Sequence, residues 1–169
     1  MEGNTVDLAQ MLARREARSH EQRAFLQKHS SPLVSFSMNI PGPVKTNELI
    51  RRAFIRGRDS LLERLKEAGA VILDSSEVHE DTGDELLLSV GNADPSKLKD
   101  IATEIEEAST VGRLYDIDVI DVQGNKLSRP SFRKCLICDR QAQECARSRT
   151  HTVKEMQDAI ERMLSDEEM

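Results

Sequence analysis

Residues 33–40 have the sequence Leu-Val-Ser-Phe-Ser-Met-Asn-Ile, in which apolar and polar side chains alternate from Val34 onward. Successive side chains of a strand point to opposite faces of the sheet, so the alternation predicts a half-buried strand. The sequence Pro41-Gly42-Pro43 ends this strand, because proline cannot donate a hydrogen bond to a sheet ladder. The rest of the fold is arranged around this strand.

Five more elements follow it along the chain. A helix capped by Thr46 or Asn47 runs to Gly69, and a second amphipathic helix begins at Asp94-Pro95. The other three elements are strands: two short apolar runs, which form a hairpin with a long, loose loop over residues 74–84, and a last strand at residues 114–122. The order β-α-β-β-α-β predicts an α+β fold of the ferredoxin-like type, with one antiparallel sheet and both helices on one face.

The flanking segments complete one predicted domain over residues 1–169. Residues 1–32 contain a helix with a thin apolar stripe, which we expect to lie on the outside of the core. Residues 33–122 are the αβ core, and residues 123–169 are a Cys-rich and helical extension.

The composition excludes several classes of protein. The net charge is −6, aromatic residues make up 3% and there is no Trp, which disfavours duplex or single-stranded nucleic acid as a partner. No apolar run approaches the roughly 20 residues that a membrane span needs. The three cysteines are too few and too clustered for a disulfide framework, so we expect reduced thiols and a cytoplasmic location.

Charge is segregated along the chain. Residues 11–68 have an excess of Lys and Arg, whereas residues 69–122 have a large excess of Asp and Glu. This division predicts an anion site beside a metal site, although charged faces of solvated helices produce the same pattern.

The strongest local signal for chemistry is the sequence GRLYDIDV at residues 112–119. On a strand, Asp116 and Asp118 share one face with their Cα atoms about 6.6 Å apart, so that both carboxylates can hold Mg²⁺ against a phosphate. Two metal ions are also within their reach. The alternative is that this pair is the solvent face of an exposed edge strand.

A second signal is Lys45, which follows the proline-rich turn and precedes a helix with Arg51 and Arg52 on its first turns. A helix start has free backbone N–H groups and a partial positive charge, which suit a phosphate. The alternative is a strand terminator followed by an ordinary basic helix surface.

A third signal is the series Cys135, Cys138, Cys145 and His151. Three thiolates and one imidazole are a donor set for a tetrahedral structural Zn²⁺. The Cys-x-x-Cys pair can also be redox-active or simply packed in the protein.

Together these segments resemble one family, the citrate lyase holo-acyl-carrier-protein synthases, also called apo-citrate lyase phosphoribosyl-dephospho-CoA transferases. The resemblance extends from about residue 12 almost to the end of the chain. The motifs that carry it are PLVSF at 32–36, PGPVK at 41–45, GRLYDIDV at 112–119, SR at 128–129, RKCLIC at 133–138, CAR at 145–147 and TH at 150–151.

The resemblance implies a nucleotidyltransferase-type reaction. The donor is 2′-(5″-triphosphoribosyl)-3′-dephospho-CoA, the acceptor is a serine of the citrate lyase acyl-carrier subunit, and diphosphate leaves. The family motif implies a catalytic role for Asp116 and Asp118. From the chemistry of the reaction we expect these carboxylates to hold Mg²⁺ and Arg113 to act with them on the phosphates. We expect Lys45, Arg52, Gly112 and Ser35 to bind the substrate. We also expect an acidic carrier to dock on the basic stretch from Arg14 to Arg58.

Two alternatives stay open from the sequence. One is the same reaction on the carrier protein of malonate decarboxylase. The other is a zinc-stabilised adaptor without catalysis, in which the Asp-x-Asp pair is only a strand edge.

Overall fold

The computed structural model describes residues 1–168, and Met169 at the end of the predicted extension lies outside the described part. These residues form five helices, four strands and one short 3₁₀ turn. The helices are α1 (Leu8–His29), α2 (Glu48–Glu67), α3 (Pro95–Glu107), α4 (Ala142–Ser148) and α5 (Val153–Glu168). The strands are β1 (Leu33–Met38), β2 (Val71–Glu80), β3 (Gly83–Gly91) and β4 (Tyr115–Ile120), with the 3₁₀ turn at Val111–Leu114.

The strands form one sheet in the order β2-β3-β1-β4, and every neighbouring pair is antiparallel. The predicted α+β class, the single antiparallel sheet and the order of the core elements are therefore confirmed. Asn47 caps α2 through its side chain, and Gly69 follows that helix with a positive φ of 77°, as the capping pattern predicts.

The main core lies between the sheet and helices α2 and α3. Phe36 of β1 stacks on Phe54 of α2 with ring centroids 4.8 Å apart, and Tyr115 of β4 meets Phe36 edge-on. The Tyr115 hydroxyl donates a hydrogen bond of 2.9 Å to the carbonyl of Ala53. This bond fixes the start of β4 against α2, immediately before Asp116.

Helix α1 covers the opposite face of the sheet. Phe25 and Leu26 of α1 pack on a small buried cluster made of Leu33, Leu87 and Ile120. No residue of α1 is itself buried. The expectation that this helix lies on the outside of the core is confirmed. Because α1 packs on the sheet, both faces of the sheet are covered by helices.

The predicted loose loop over residues 74–84 is wrong. Strands β2 and β3 continue through this segment and are joined by a two-residue turn at positions 81–82. Side chains of α1 satisfy polar groups of β2: His29 contacts Asp74 at 2.8 Å, and Ser76 donates a hydrogen bond of 2.9 Å to Glu21. These long-range partners allow a polar segment to form an edge strand.

The segregated charges of the sequence pair with each other in the fold. Arg14 and Arg18 of α1 form ion pairs with Glu85 of β3, and Arg51 of α2 forms an ion pair with Asp84. Part of the basic stretch is therefore neutralised within the chain. Among residues 1–168, every helix is too short or too polar to cross a membrane.

Candidate active site

Strand β4 places the Asp-x-Asp pair on the face that α1 partly covers. The alternating residues Tyr115, Ile117 and Val119 are buried in the main core, as the pattern predicts. Asp116 and Asp118 point the other way, with 46% and 32% of their side-chain surface exposed. The pair is thus half-buried rather than fully solvated.

The register of β1 and β4 brings the predicted polar residues together. Ser35 is the partner of Asp118 across the ladder, and Ser37 is the partner of Asp116. Ser35 is buried, and its hydroxyl accepts a hydrogen bond of 3.2 Å from Gln22 of α1. Ser37 is the less covered of the two serines.

The outer edge of β4 is not open for strand pairing. The amide of Ile117 donates to the Glu106 carboxylate at 3.0 Å, and Lys99 donates to the Ile117 carbonyl at 3.2 Å. Farther along, the amide of Leu127 donates to the Val119 carbonyl at 2.9 Å. These groups occupy part of the outer edge of β4, so the strand that carries the Asp pair is not a bare sheet edge.

A cavity of about 370 Å³ lies between β4 and the segment that follows it. We call it the β4 cavity; its charged lining residues are Lys99, Glu106, Asp116, Asp118, Arg129 and Arg133. Three cations and three carboxylates therefore line one cavity, and such a set can hold a metal ion together with a polyphosphate.

The cations are close to the carboxylates. Arg133 lies 3.8 Å from Asp116 and donates a hydrogen bond of 2.8 Å to the Tyr115 carbonyl. Lys126 lies 3.3 Å from Asp118. Arg133 also forms an ion pair with Glu106, whose side chain is only 4% exposed.

Burial and neighbouring charges shift the pKa values of two carboxylates of the β4 cavity, those of Asp116 and Glu106. Burial and the neighbouring Asp118 carboxylate raise the pKa of Asp116 above its ordinary value, against the opposing effect of Arg133. Burial also raises the pKa of Glu106, although Arg133 and the Ile117 amide favour its ionised form. A cation bound at Asp116 would offset the cost of ionising it.

A second cleft of about 200 Å³ begins at the same aspartate. We call it the α1 cleft; besides Asp116 and Ser37, its lining includes the charged residues Arg14, Arg15, Arg18, Lys45, Asp84 and Glu85. Lys45 donates a hydrogen bond of 2.8 Å to the carbonyl of Ile40, and burial lowers the pKa of its ammonium. The structure therefore brings Lys45 and Asp116 to one cleft.

Two further predicted residues lie in an adjoining cavity of about 360 Å³ beside the 3₁₀ turn, which we call the turn cavity. Arg113 contacts the Cys135 carbonyl at 3.4 Å. Gly112 lies against α3, and a Cβ placed there would be 2.5 Å from the Glu106 carbonyl oxygen and 2.8 Å from that of Ile105. The motif glycine is thus required by packing.

Arg52 is not brought to these cavities. It is half exposed on α2 and forms ion pairs with Glu48 and with Glu168 of α5.

The sequence analysis missed three buried polar residues of α3. Lys99, Thr103 and Glu106 are all buried and recur at helical spacing beside the apolar stripe. This spacing was the available signal, because it places a polar stripe on the buried side of the helix. Arg129 and Arg133 were also missed as ligands, although both belong to quoted motifs.

The cysteine motif forms a compact cluster. The ligand atoms of Cys135, Cys138, Cys145 and His151 lie within 4.8 Å of one another. The Cys138 sulfur is 3.5 Å from that of Cys145 and 3.4 Å from the His151 ring nitrogen. Ligands of one tetrahedral Zn²⁺ are about 3.5–3.8 Å apart, given Zn–S and Zn–N distances near 2.3 and 2.0 Å. The cluster can therefore hold a metal ion such as zinc.

The cluster is joined to the β4 cavity through its own loop. The carbonyl of Arg133 accepts a hydrogen bond of 2.8 Å from the Ala142 amide, and the Cys135 amide donates to the Arg140 carbonyl at 2.9 Å. The loop that carries the first two cysteines thus also fixes the backbone of Arg133.

Comparison with known proteins gives one consistent result. The sequence model of a family described as apo-citrate lyase phosphoribosyl-dephospho-CoA transferase matches residues 6–167. A protein of that name from Citrobacter koseri is 37% identical, over 96% of this chain and 91% of the relative. Another from Escherichia coli O1:K1 is 35% identical over the same shares of the two chains.

Proposed function

Because this chain belongs to the apo-citrate lyase phosphoribosyl-dephospho-CoA transferase family, we propose that it transfers a phosphoribosyl-dephospho-CoA group to apo-citrate lyase. The observation that supports the site is that Asp116 and Asp118 both line the β4 cavity with Lys99, Arg129 and Arg133, and that Asp116 also lines the α1 cleft. The family names refer to citrate lyase, so neither the malonate decarboxylase carrier nor a non-catalytic adaptor is favoured.

In this proposal the donor is 2′-(5″-triphosphoribosyl)-3′-dephospho-CoA and the acceptor is a serine of the acyl-carrier subunit. The serine oxygen forms a bond to the α-phosphorus while the bond from that phosphorus to the bridging oxygen breaks. Diphosphate leaves with the bridging oxygen, and the serine proton passes to an aspartate or to water. Such transfers depend mainly on positioning and on stabilisation of developing negative charge.

Asp116 and Asp118 are the residues that would hold Mg²⁺. The donor set fits, since half-buried carboxylates are the hard oxygen ligands that Mg²⁺ prefers, and the burial of Asp116 makes a nearby cation favourable. When bound, Mg²⁺ supplies charge neutralisation on the phosphate oxygens. Asp116 faces both cavities, so it can orient donor and acceptor together.

The chain's own cations complete the phosphate site. Lys45 lines the α1 cleft with Asp116, and Arg113 lines the turn cavity next to Arg133. We assign both to the outgoing phosphates. Arg52 is left out of this assignment because its partners are Glu48 and Glu168.

The carrier is proposed to dock at the α1 cleft. Arg14, Arg15 and Arg18 line this cleft beside Asp116; Arg14 and Arg18 share Glu85, whereas Arg15 is exposed, so the three arginines have one paired carboxylate, Glu85, within the cleft. An acidic surface placed there would present its serine to the donor phosphate. Charge complementarity of this kind acts mainly on the association rate. Raising the salt concentration should therefore reduce kcat/KM for the carrier more than kcat.

We also propose that the Cys₃His cluster binds one structural Zn²⁺. The close approach of Cys138 to both Cys145 and His151 supports it. Metal analysis of the purified protein should find one equivalent of zinc, lost in Cys138→Ser and kept in His20→Gln, a change at an exposed histidine outside the cluster. A fully folded, metal-free wild-type protein would contradict this assignment.

The order of the strands also supports a more specific fold assignment. We propose a ferredoxin-like core within one domain, supported by the position of β3 between β1 and β2 in an all-antiparallel sheet. A cytoplasmic location is supported by the three cysteine thiols, which are free of disulfides in the described residues.

The experiment that tests the function is intact-protein mass spectrometry of the apo acyl-carrier subunit. The carrier is incubated with this protein, the triphosphoribosyl donor and Mg²⁺, and the malonate decarboxylase carrier is run in parallel. We expect the citrate lyase carrier alone to gain the mass of one phosphoribosyl-dephospho-CoA group. No gain with a competent donor and carrier refutes the proposal.

A further inference from the structure

Phe132 differs from every other aromatic residue of the described chain. Phe36, Phe54 and Tyr115 are buried in the main core, and Phe25 of α1 packs on the small cluster of Leu33, Leu87 and Ile120. The Phe132 side chain is 54% exposed. Exposing an aromatic ring without a partner forfeits the favourable burial of its surface, so a lone exposed ring beside a cavity suggests a ligand.

The position of Phe132 supports this reading. The residue lines both the β4 cavity and the turn cavity, together with Arg129, Ser131 and Arg133. It therefore lies where the two cavities adjoin, between two arginines and on the side of β4 that carries the carboxylates. An apolar ring beside two guanidinium groups matches a ligand with one flat apolar part and several negative charges.

The guanidinium groups are already held in place. The Glu106 carboxylate forms an ion pair with Arg133 and lies 3.6 Å from the Arg129 side-chain Nε. Glu106 is in turn fixed by its hydrogen bond from the Ile117 amide. Both arginines are thus oriented on the wall of the β4 cavity before any ligand arrives, which lowers the entropic cost of binding.

We propose that Phe132 stacks on the adenine base of the donor while Arg129 and Arg133 bind its phosphates, so that these residues form the donor site. The inference rests on the proposed function, because the donor of that reaction contains adenine. In the donor named above, two ribose rings separate adenine from the reacting phosphate. Two adjoining cavities with Phe132 at their junction and Asp116 in one of them suit that separation.

The sequence offers a direct test, since the chain has no Trp. Phe132→Trp creates a single fluorescent reporter in the proposed site. We expect dephospho-CoA to quench its fluorescence to saturation, and 4′-phosphopantetheine, which lacks the base, to leave it unchanged. The matched control is Val71→Trp, whose reporter replaces a half-exposed residue on β2, at the far edge of the sheet, and should not respond to either compound.

Removal of the ring gives the second readout. Phe132→Ala should raise the Kd for dephospho-CoA and the KM for the donor by roughly 5- to 100-fold, which corresponds to the loss of one base-stacking contact. The kcat at saturating donor should change far less, because the ring does not contact the reacting atoms. Phe132→Tyr, which keeps a stacking surface, should restore wild-type affinity.

The possible failures are distinguishable. If dephospho-CoA does not quench Phe132→Trp and Phe132→Ala keeps the wild-type KM, the adenine site is refuted, while transfer by the wild-type protein upholds the proposed function. If the wild-type protein transfers nothing but the reporter responds to dephospho-CoA and not to phosphopantetheine, the adenine site stands and the proposed reaction falls.

Discussion

Gly112→Ala is expected to destabilise the protein strongly, although it adds one methyl group. The new Cβ would lie 2.5 Å from the Glu106 carbonyl oxygen, 2.8 Å from that of Ile105 and 2.9 Å from the Glu106 carbonyl carbon. All three are backbone atoms of the C-terminal end of α3, so no side chain can rotate away. The 3₁₀ turn and α3 must separate instead.

The size of this effect follows from the kind of contact. Overpacking a well-packed site costs about 1–3 kcal/mol, and contact with fixed backbone atoms puts Gly112→Ala near the upper limit. A loss of about 3 kcal/mol corresponds to a fall in Tm of roughly 6–12 °C for a chain of this size. Gly91→Ala is the matched control, because its Cβ would meet only the side chain of Leu73, 3.2 Å away and half exposed. We expect that change to cost less than about 1 kcal/mol.

Urea unfolding followed by far-ultraviolet circular dichroism measures both variants, and the absence of Trp makes this signal preferable to fluorescence. The comparison also separates two roles for the motif glycine. If Gly112→Ala is as stable as Gly91→Ala but binds the donor poorly, Gly112 serves the substrate and the packing argument is wrong.

Further expectations concern the carboxylates, the metal cluster and the core. Asp118→Asn should lower the pKa of Asp116, because it removes a like charge, and carbon-detected NMR titration measures this shift. Since the folded protein disfavours the ionised Asp116, Asp116→Asn should not lower Tm at neutral pH, and a clear destabilisation would contradict the raised pKa. If the Cys₃His cluster binds zinc as proposed, a chelator should lower Tm in the wild-type protein and have no effect in Cys138→Ser, as followed by thermal melting. Gly57→Ala should destabilise by about 1–2 kcal/mol despite its better helix propensity, because its Cβ would be 2.8 Å from two buried aromatic rings; increased stability in urea would refute this.

The sequence predicted the parts of the fold that depend on local pattern. The alternation around Asp116 gave the correct faces of β4, and the capping residues gave the ends of α2 correctly. The polar half of β2 was predicted as a loop because its stabilising partners are distant in sequence: Asp74 contacts His29, and Ser76 contacts Glu21. No local pattern contains that information.

The residues of the candidate site also fall into two groups, those that the local sequence pattern identifies and those that it does not. The motif aspartates and Lys45 were chosen from residue type and spacing, and the structure places Asp116 and Lys45 on one cleft. The role of Arg133 could not be found in this way, because its ion pair with the buried Glu106 forms only when α3 and the cysteine loop are brought together. Arg52 was expected to bind substrate because it is a basic residue near a helix start, but it pairs with Glu48 of its own helix and with Glu168 of α5.

The most direct test of the central claim compares two aspartate variants in the transfer assay. Asp116→Asn removes the carboxylate shared by both cavities, whereas Asp100→Asn removes an exposed carboxylate on α3. With the acyl-carrier subunit, the donor and Mg²⁺ present, Asp100→Asn should add one phosphoribosyl-dephospho-CoA group at the wild-type rate. Asp116→Asn should remain folded and add essentially none. Transfer by Asp116→Asn at a rate close to that of Asp100→Asn would contradict the assignment of this site.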